Sequence, residues 1–185
     1  MGMPDTTHRY TVDEVLAFPS DGNRYELVDG ELLVTPAPGP VHQHVVSRLQ
    51  TYVSAYLDEH AAELEAIVSP ADITWGQDRL VQPDLFVIPT TEISRDWGTY
   101  VTLVLAVEVL SPSSGHADRV VKRRLYQERN VGTYWVVDPD ARLVEVWRPD
   151  EERPEIVTEV LTWRAAPEAP DLTIRLEQLF ANLAG

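Results

Sequence analysis

No cysteine occurs anywhere in the chain. That excludes disulfides, thiol nucleophiles and cysteine-held zinc, so any metal must be held by Asp, Glu, His or backbone oxygen. No apolar run approaches the ~18 residues that a membrane-spanning helix needs, and no membrane partner is expected. A phosphate-cradling glycine loop is missing, as is the Gly-x-Ser-x-Gly elbow of serine hydrolases. Residues 1–10 are polar, without the basic start and apolar stretch of a secretory signal, which makes the cytoplasm the expected compartment. Positive charge is scarce: 15 Lys and Arg stand against 30 Asp and Glu, a net charge of -15. Such a field opposes broad non-specific binding to nucleic acid. A nucleic-acid substrate therefore needs a local basic patch. Arg119, Lys122, Arg123, Arg124 and Arg129 supply one in a window whose only acid is Glu128, leaving the remainder near -19.

What is present is an ordinary globular composition, 44% hydrophobic and 24% charged over 185 residues, which reads as one domain with short extensions. Residues 11–18 have the spacing of a short amphipathic helix. Residues 24–28 and 31–35 are apolar-rich runs joined by Asp29-Gly30, a strong hairpin signal. After a proline-rich loop at 36–40, Val41, Val45, Leu49, Tyr52, Val53, Tyr56 and Leu57 trace one face of a long helix. Strands are expected at 63–75, 80–88 and 101–110. The last is so apolar that it belongs in the middle of a sheet covered on both faces. A second helix is expected at 115–130, strands at 133–137 and 143–147, one more strand at 155–163, and a terminal helix at 172–183. The fold class is α/β with a mixed, mainly antiparallel sheet. The five tryptophans read as core and sheet-face residues, not as a base-stacking platform.

Glu108 interrupts the run from Val101 to Leu110. A carboxylate there is expected to be buried, and an unpaired buried charge costs several kcal/mol or forces protonation. Either a structural partner, such as Arg or the helix start near Ser113 and Ser114, or a metal ion compensates it. Asp84 opens the buried end of a neighbouring strand, and two close carboxylates repel unless a cation lies between them. Asp118, Lys122 and Tyr126 are spaced by four on the following helix and share a face. Lys122 is the one expected to point inward. Arg119, Arg123 and Arg124 read as solvated or phosphate-contacting. His42 and His44 open the long helix; His44 is the accessory candidate, beside Glu26 and Glu31 flanking the hairpin turn.

The blocks Arg24-Tyr25-Glu26-Leu27-Val28-Asp29-Gly30-Glu31, His44, Gln82-Pro83-Asp84, Glu108-Val109-Leu110-Ser111-Pro112-Ser113, then Asp118, Lys122 and Tyr126 before Gly132-Thr133-Tyr134-Trp135-Val136-Val137-Asp138-Pro139, resemble the Uma-two family of restriction endonucleases. This family lies within the superfamily named for a Pro-Asp then Asp/Glu-x-Lys motif. The resemblance spans residues 24–147, with 1–20 as an N-terminal extension and 148–185 as a C-terminal strand and helix. It implies a restriction-endonuclease-like core: a helix, a three-strand meander, a crossover helix and a strand, with the hairpin added in front. It further implies that Asp84, Glu108 and the Val109 carbonyl bind Mg2+ or Mn2+, and that a water held there attacks a DNA phosphodiester. The superfamily's lysine stands two residues after the glutamate, where this chain has Leu110; Lys122 would fill that role from the helix. A non-catalytic nucleic-acid or protein binding module that kept the fold is the alternative, and a homodimer is one assembly to consider.

Overall fold

The computed structural model describes residues 8–112 and 114–183, so residues 1–7, Ser113 and residues 184–185 lie outside the described residues. Helix α1 (Val12–Leu16) starts at a capping box: the Glu14 amide donates to the Thr11 hydroxyl, and the Thr11 amide donates to the Glu14 carboxylate at 2.8 Å. Each satisfies a helix-end donor that would otherwise go unpaired. Strands β1 (Asn23–Val28) and β2 (Glu31–Pro36) then pair antiparallel. Their two-residue turn puts Asp29 at φ +50° and Gly30 at φ +80°, the left-handed values that a tight hairpin requires. Helix α2 (Pro40–His60) begins with proline in its first turn, where the missing N–H costs nothing. It buries Val45, Leu49, Val53, Tyr56 and Leu57, each aliphatic side chain contributing roughly 1.5–3 kcal/mol. Val41, expected on the same face, is exposed.

The expected strand at 63–75 is two strands, β3 (Leu64–Val68) and β4 (Ile73–Thr74). Likewise 80–88 divides into β5 (Leu80–Val81) and β6 (Leu85–Pro89). Pro70 and Pro83 stand at the breaks, where a residue without an N–H cannot continue a ladder. Strand β7 is shorter than expected (Leu105–Val109). The amides of Val101 and Thr102 donate to the Glu92 carboxylate instead of to a neighbouring strand. The helix expected at 115–130 has a wide, π-type turn at Ala117–Lys122 before α3 (Arg123–Glu128). Strands β8 (Thr133–Asp138) and β9 (Leu143–Trp147) follow as expected. The last expected strand is again two, β10 (Glu155–Val157) and β11 (Val160–Trp163). The terminal segment is strand β12 (Leu172–Arg175) followed by a single helical turn, α4 (Leu176–Leu179). Leu172 and Ile174 are buried while Thr173 and Arg175 are exposed, the period of two that a strand imposes.

The central sheet has the order β10-β9-β8-β7-β6-β3. All its described pairs are antiparallel except β7 with β8, so it is mixed and mainly antiparallel. A second sheet has the order β2-β1-β5-β4, and β11 pairs with β12. Strand β7 is buried along its whole length. Leu105, Val107 and Val109 pack toward α2 and the C-terminal elements, whereas Ala106 joins Phe86, Tyr126, Tyr134 and Val136 on the opposite face. Alternation therefore assigns Glu108 to that second face. No helix among the described residues is long and apolar enough to cross a membrane.

The parallel β7–β8 pair is reached through a tight approach at Gly132, where an added Cβ would lie 2.7 Å from the Val104 carbonyl oxygen. Gly132→Ala is expected to destabilise the fold by about 1–3 kcal/mol, read as a lower denaturant midpoint. An unchanged midpoint would show that the backbone there yields freely.

Candidate functional site

Strands β6 and β7 pair with Leu85 opposite Val107 and Phe86 opposite Ala106. One step further along this register, Asp84 stands opposite Glu108. Pro83 ends the ladder there, and Asp84 turns its carboxylate onto the end of β7, where Oδ2 accepts the Val109 amide at 2.8 Å. The Val109 amide thus joins the cluster directly. The same Oδ2 lies 2.9 Å from His42 Nε2, and Oδ1 accepts Arg24 Nη1 at 2.7 Å. Arg24 is fixed in turn by Gln82, through its side-chain oxygen and its carbonyl.

Glu108 faces the wide turn and α3. Its Oε1 accepts Lys122 Nζ at 3.1 Å and the Tyr126 hydroxyl at 3.0 Å. Lys122 is the only lysine of the chain, and it is 4% exposed. Its ammonium also lies 2.7 Å from Glu26 Oε2 and 3.1 Å from Asp118 Oδ1. Glu26 comes from β1, where alternation gives it the same face as Arg24. Asp118 and Lys122 both lie in the wide turn, four residues apart, and such turns concentrate at functional sites.

Glu26, Asp84, Glu108 and Asp118 are thus four buried carboxylates against two permanent cations, Arg24 and Lys122. Burial raises the Glu108 carboxyl, the Lys122 charge opposes this, and Asp118, Asp84 and Glu26 add repulsion; the result is well above the usual carboxylate range. Burial would also raise Asp84, but the His42 bond, the Arg24 charge and the Val109 amide outweigh it and hold this carboxyl low. Lys122 is disfavoured as an ammonium by burial, yet Asp118, Glu108 and Glu26 more than compensate and keep it charged. Burial and Glu108 raise the Tyr126 hydroxyl, which stays protonated as a donor.

The remaining sequence candidates lie elsewhere. His44 Nε2 is 3.3 Å from the Ala181 carbonyl, so His42 and not His44 is the histidine of this cluster. The signal was in the helix period, since His42 stands one turn before Val45 and Val46 on the buried face. Glu31 is exposed on β2. Arg119 is paired with Glu145 and Asp138. Arg123 bonds Gln127 and lies over the Trp147 ring, and Arg129 lies over Trp75. Of the expected basic face, Arg124 alone is exposed, the others being half-buried or buried. The outward basic patch is largely consumed because α3 packs against acids and rings of the sheet. Trp97, read from the sequence as a core or sheet-face residue, lies in a short exposed turn.

The Uma2 family model, described as "Putative restriction endonuclease", matches residues 12–177. The chain belongs to the Uma2 family. The match is wider than residues 24–147, taking in α1 and most of the C-terminal elements. A solved structure titled as a putative nuclease of DUF820, from Anabaena variabilis, is similar in fold, with a TM-score of 0.75 and 23% identity over 92% of this chain and 97% of that one. No curated protein matches the sequence. The Uma2 chain therefore has the restriction-endonuclease-like architecture expected of it.

Among the described residues no three acids or histidines converge as a ready metal cage. The donor set nonetheless suits a magnesium-type ion, which is commonly held by one or two carboxylates with water completing the shell. Asp84 and Glu108 line one small cleft of about 20 Å3, the space of about one water, and the acids around it outnumber the cations. The raised Glu108 carboxyl keeps a proton in the folded state that the unfolded chain releases. Its contribution therefore lowers stability as pH climbs from the ordinary carboxylate range toward the raised folded value. With chelator present, Glu108→Gln is expected to remove this loss and to unfold at a temperature at least equal to the parent's at about pH 8. Thermal unfolding from about pH 5 to pH 8 checks it; destabilisation by ~3 kcal/mol at every pH would instead mark a structural ion pair.

Proposed function

We propose that this chain is a divalent-metal-dependent endonuclease that hydrolyses DNA phosphodiester bonds at the Asp84, Glu108 and Lys122 cluster. The observation that carries the reading is the buried Lys122 ammonium 3.1 Å from Glu108, on the strand end where Asp84 lies opposite. It is the acid, acid and lysine set of the superfamily, with the lysine supplied from the helix side because Leu110 occupies the usual position. Asp84 and Glu108 would hold Mg2+ or Mn2+; when bound, such an ion neutralises charge on the phosphate and acidifies water. Arg24, His42 and the Val109 amide orient Asp84, as outer partners orient metal-binding carboxylates. Lys122 Nζ is placed to orient a water or to stabilise the charge developing on the phosphate. Tyr126 fixes the Glu108 carboxylate from the same side. Arg24 lines both the small cleft and an adjoining cavity of about 190 Å3, so it is better placed than Arg119 or Arg123 to meet a phosphate.

The deciding assay incubates the protein with supercoiled, linear and single-stranded DNA, and with RNA, in Mn2+, Mg2+ or chelator. Cleavage in metal alone is expected, falling by at least ~10²-fold in Asp84→Ala and in Lys122→Ala. Thermal unfolding in the same buffers checks that both variants remain folded. Cleavage that persists in both folded variants sinks the assignment. Salt-sensitive DNA binding with no cleavage, unchanged in Asp84→Ala, supports the binding module in its place.

A further inference from the structure

The cavity that adjoins the small cleft shares Arg24, Pro38, His42 and Asp84 with it, so whatever fills this space lies beside the Asp84 carboxylate. Its volume is about 190 Å3. A dry cavity of about 150 Å3 accepts a benzene-sized ring, whereas drug-sized ligands take roughly 300–1,000 Å3. The space therefore suits one ring system and is too small for a whole nucleotide. Pro38, Val46 and Pro70 line it with apolar surface, and Gln43, exposed in the first turn of α2, brings a primary amide to it. Such an amide both donates and accepts, as the edge of a base requires. The Ser69 hydroxyl and the Gln82 amide, also in the lining, are already bonded to the Pro83 carbonyl and to Asp72.

Charge points the same way. The chain carries a net charge of -15, and Arg119, Arg123 and Arg129 are engaged with side chains of the fold itself. A duplex presents one negative charge per roughly 1.7 Å and a single strand one per roughly 3.4 Å. An acidic protein therefore meets about half the opposing charge density on a single strand. A base enclosed by apolar side chains adds affinity that does not draw on phosphate contacts.

We propose that this cavity holds the base of the nucleotide beside the cleaved phosphodiester. A base within a duplex is stacked and paired and cannot enter, so the substrate is DNA with an unpaired nucleotide at that position, in a single strand or at a bulge. Arg24, which borders both spaces, then meets the phosphate while the ring is enclosed. Resting on the nuclease reading for the place of the cut, the assignment is tested by binding as well as by turnover.

Three DNAs of one sequence are compared: a short single strand, its perfect duplex, and the duplex with one unpaired nucleotide. Binding is followed by fluorescence anisotropy in Ca2+, so that the readout does not require turnover, and cleavage is followed in Mn2+. The single strand and the bulged duplex are expected to bind at least ~5-fold more tightly than the perfect duplex, the lower end of what one stacked base contributes. Gln43→Trp, which fills the cavity from an exposed position outside the acid cluster, is expected to bring all three DNAs to the affinity of the perfect duplex. Thermal unfolding checks the fold of this variant, and Gln43→Phe takes its place should tryptophan be rejected. A preference that survives in the folded variant overturns the pocket; if it is for the single strand alone, charge density is its source. Equal binding of all three DNAs by a chain that cleaves overturns the pocket and leaves the nuclease reading intact, and binding of none overturns it as well. A preference lost in Gln43→Trp, with no cleavage by either protein, supports the pocket and removes the nuclease reading.

Discussion

A single buried ammonium holds the centre of this molecule together. Lys122 links the hairpin of the smaller sheet, through Glu26, to the middle strand of the larger one, through Glu108, and to its own helical turn, through Asp118. Arg24 makes a parallel tie from β1 to Asp84 at the head of β6. Elsewhere on this face the layers meet through apolar packing around Phe86, Ala106, Tyr126 and Tyr134. Charges withdrawn from water recover their hydration only when the geometry is good and the remaining lone pairs are bonded. That condition explains why Tyr126, Gln82 and the Val109 amide are all drawn into the same cluster.

The buried acids of the cluster were legible in the sequence because a charge inside an apolar run must be compensated. Glu108 announced itself in this way, and Asp84 followed from its place before another buried strand. The inward lysine was readable from the spacing of Asp118, Lys122 and Tyr126. The hairpin and the mixed central sheet were equally plain, from Asp29-Gly30 and from the apolar run of β7. Strand lengths were less so, since Pro70 and Pro83 cut ladders that hydropathy alone makes continuous. The C-terminal segment was misread because Leu172 and Ile174 offer too few residues to separate a period of two from a helical one.

Partners distant in sequence were the hardest to see. Arg24 and Asp84 are sixty residues apart, and nothing local to either points to the other. Arg119 and Arg123 look like a solvent-facing basic stripe until Glu145, Asp138 and Trp147 arrive from the following hairpin. Once those arginines are engaged, the surface is more uniformly acidic than the charge pattern along the chain implies. Association with a polyanion then rests on a few cations at the cleft and is screened steeply by salt.

The only lysine is both enclosed and held in its charged form, so the chain offers no side-chain amine to solvent. An amine must be deprotonated and reachable to attack a carbonyl. Active esters and aldehydes therefore find no lysine to acylate or to condense with, and the open-chain sugar of an abasic nucleotide would form no imine here. Acyl or ubiquitin transfer to a lysine likewise has no target in the folded chain. Any chemical tag carried by a side chain in this fold has to use another functional group.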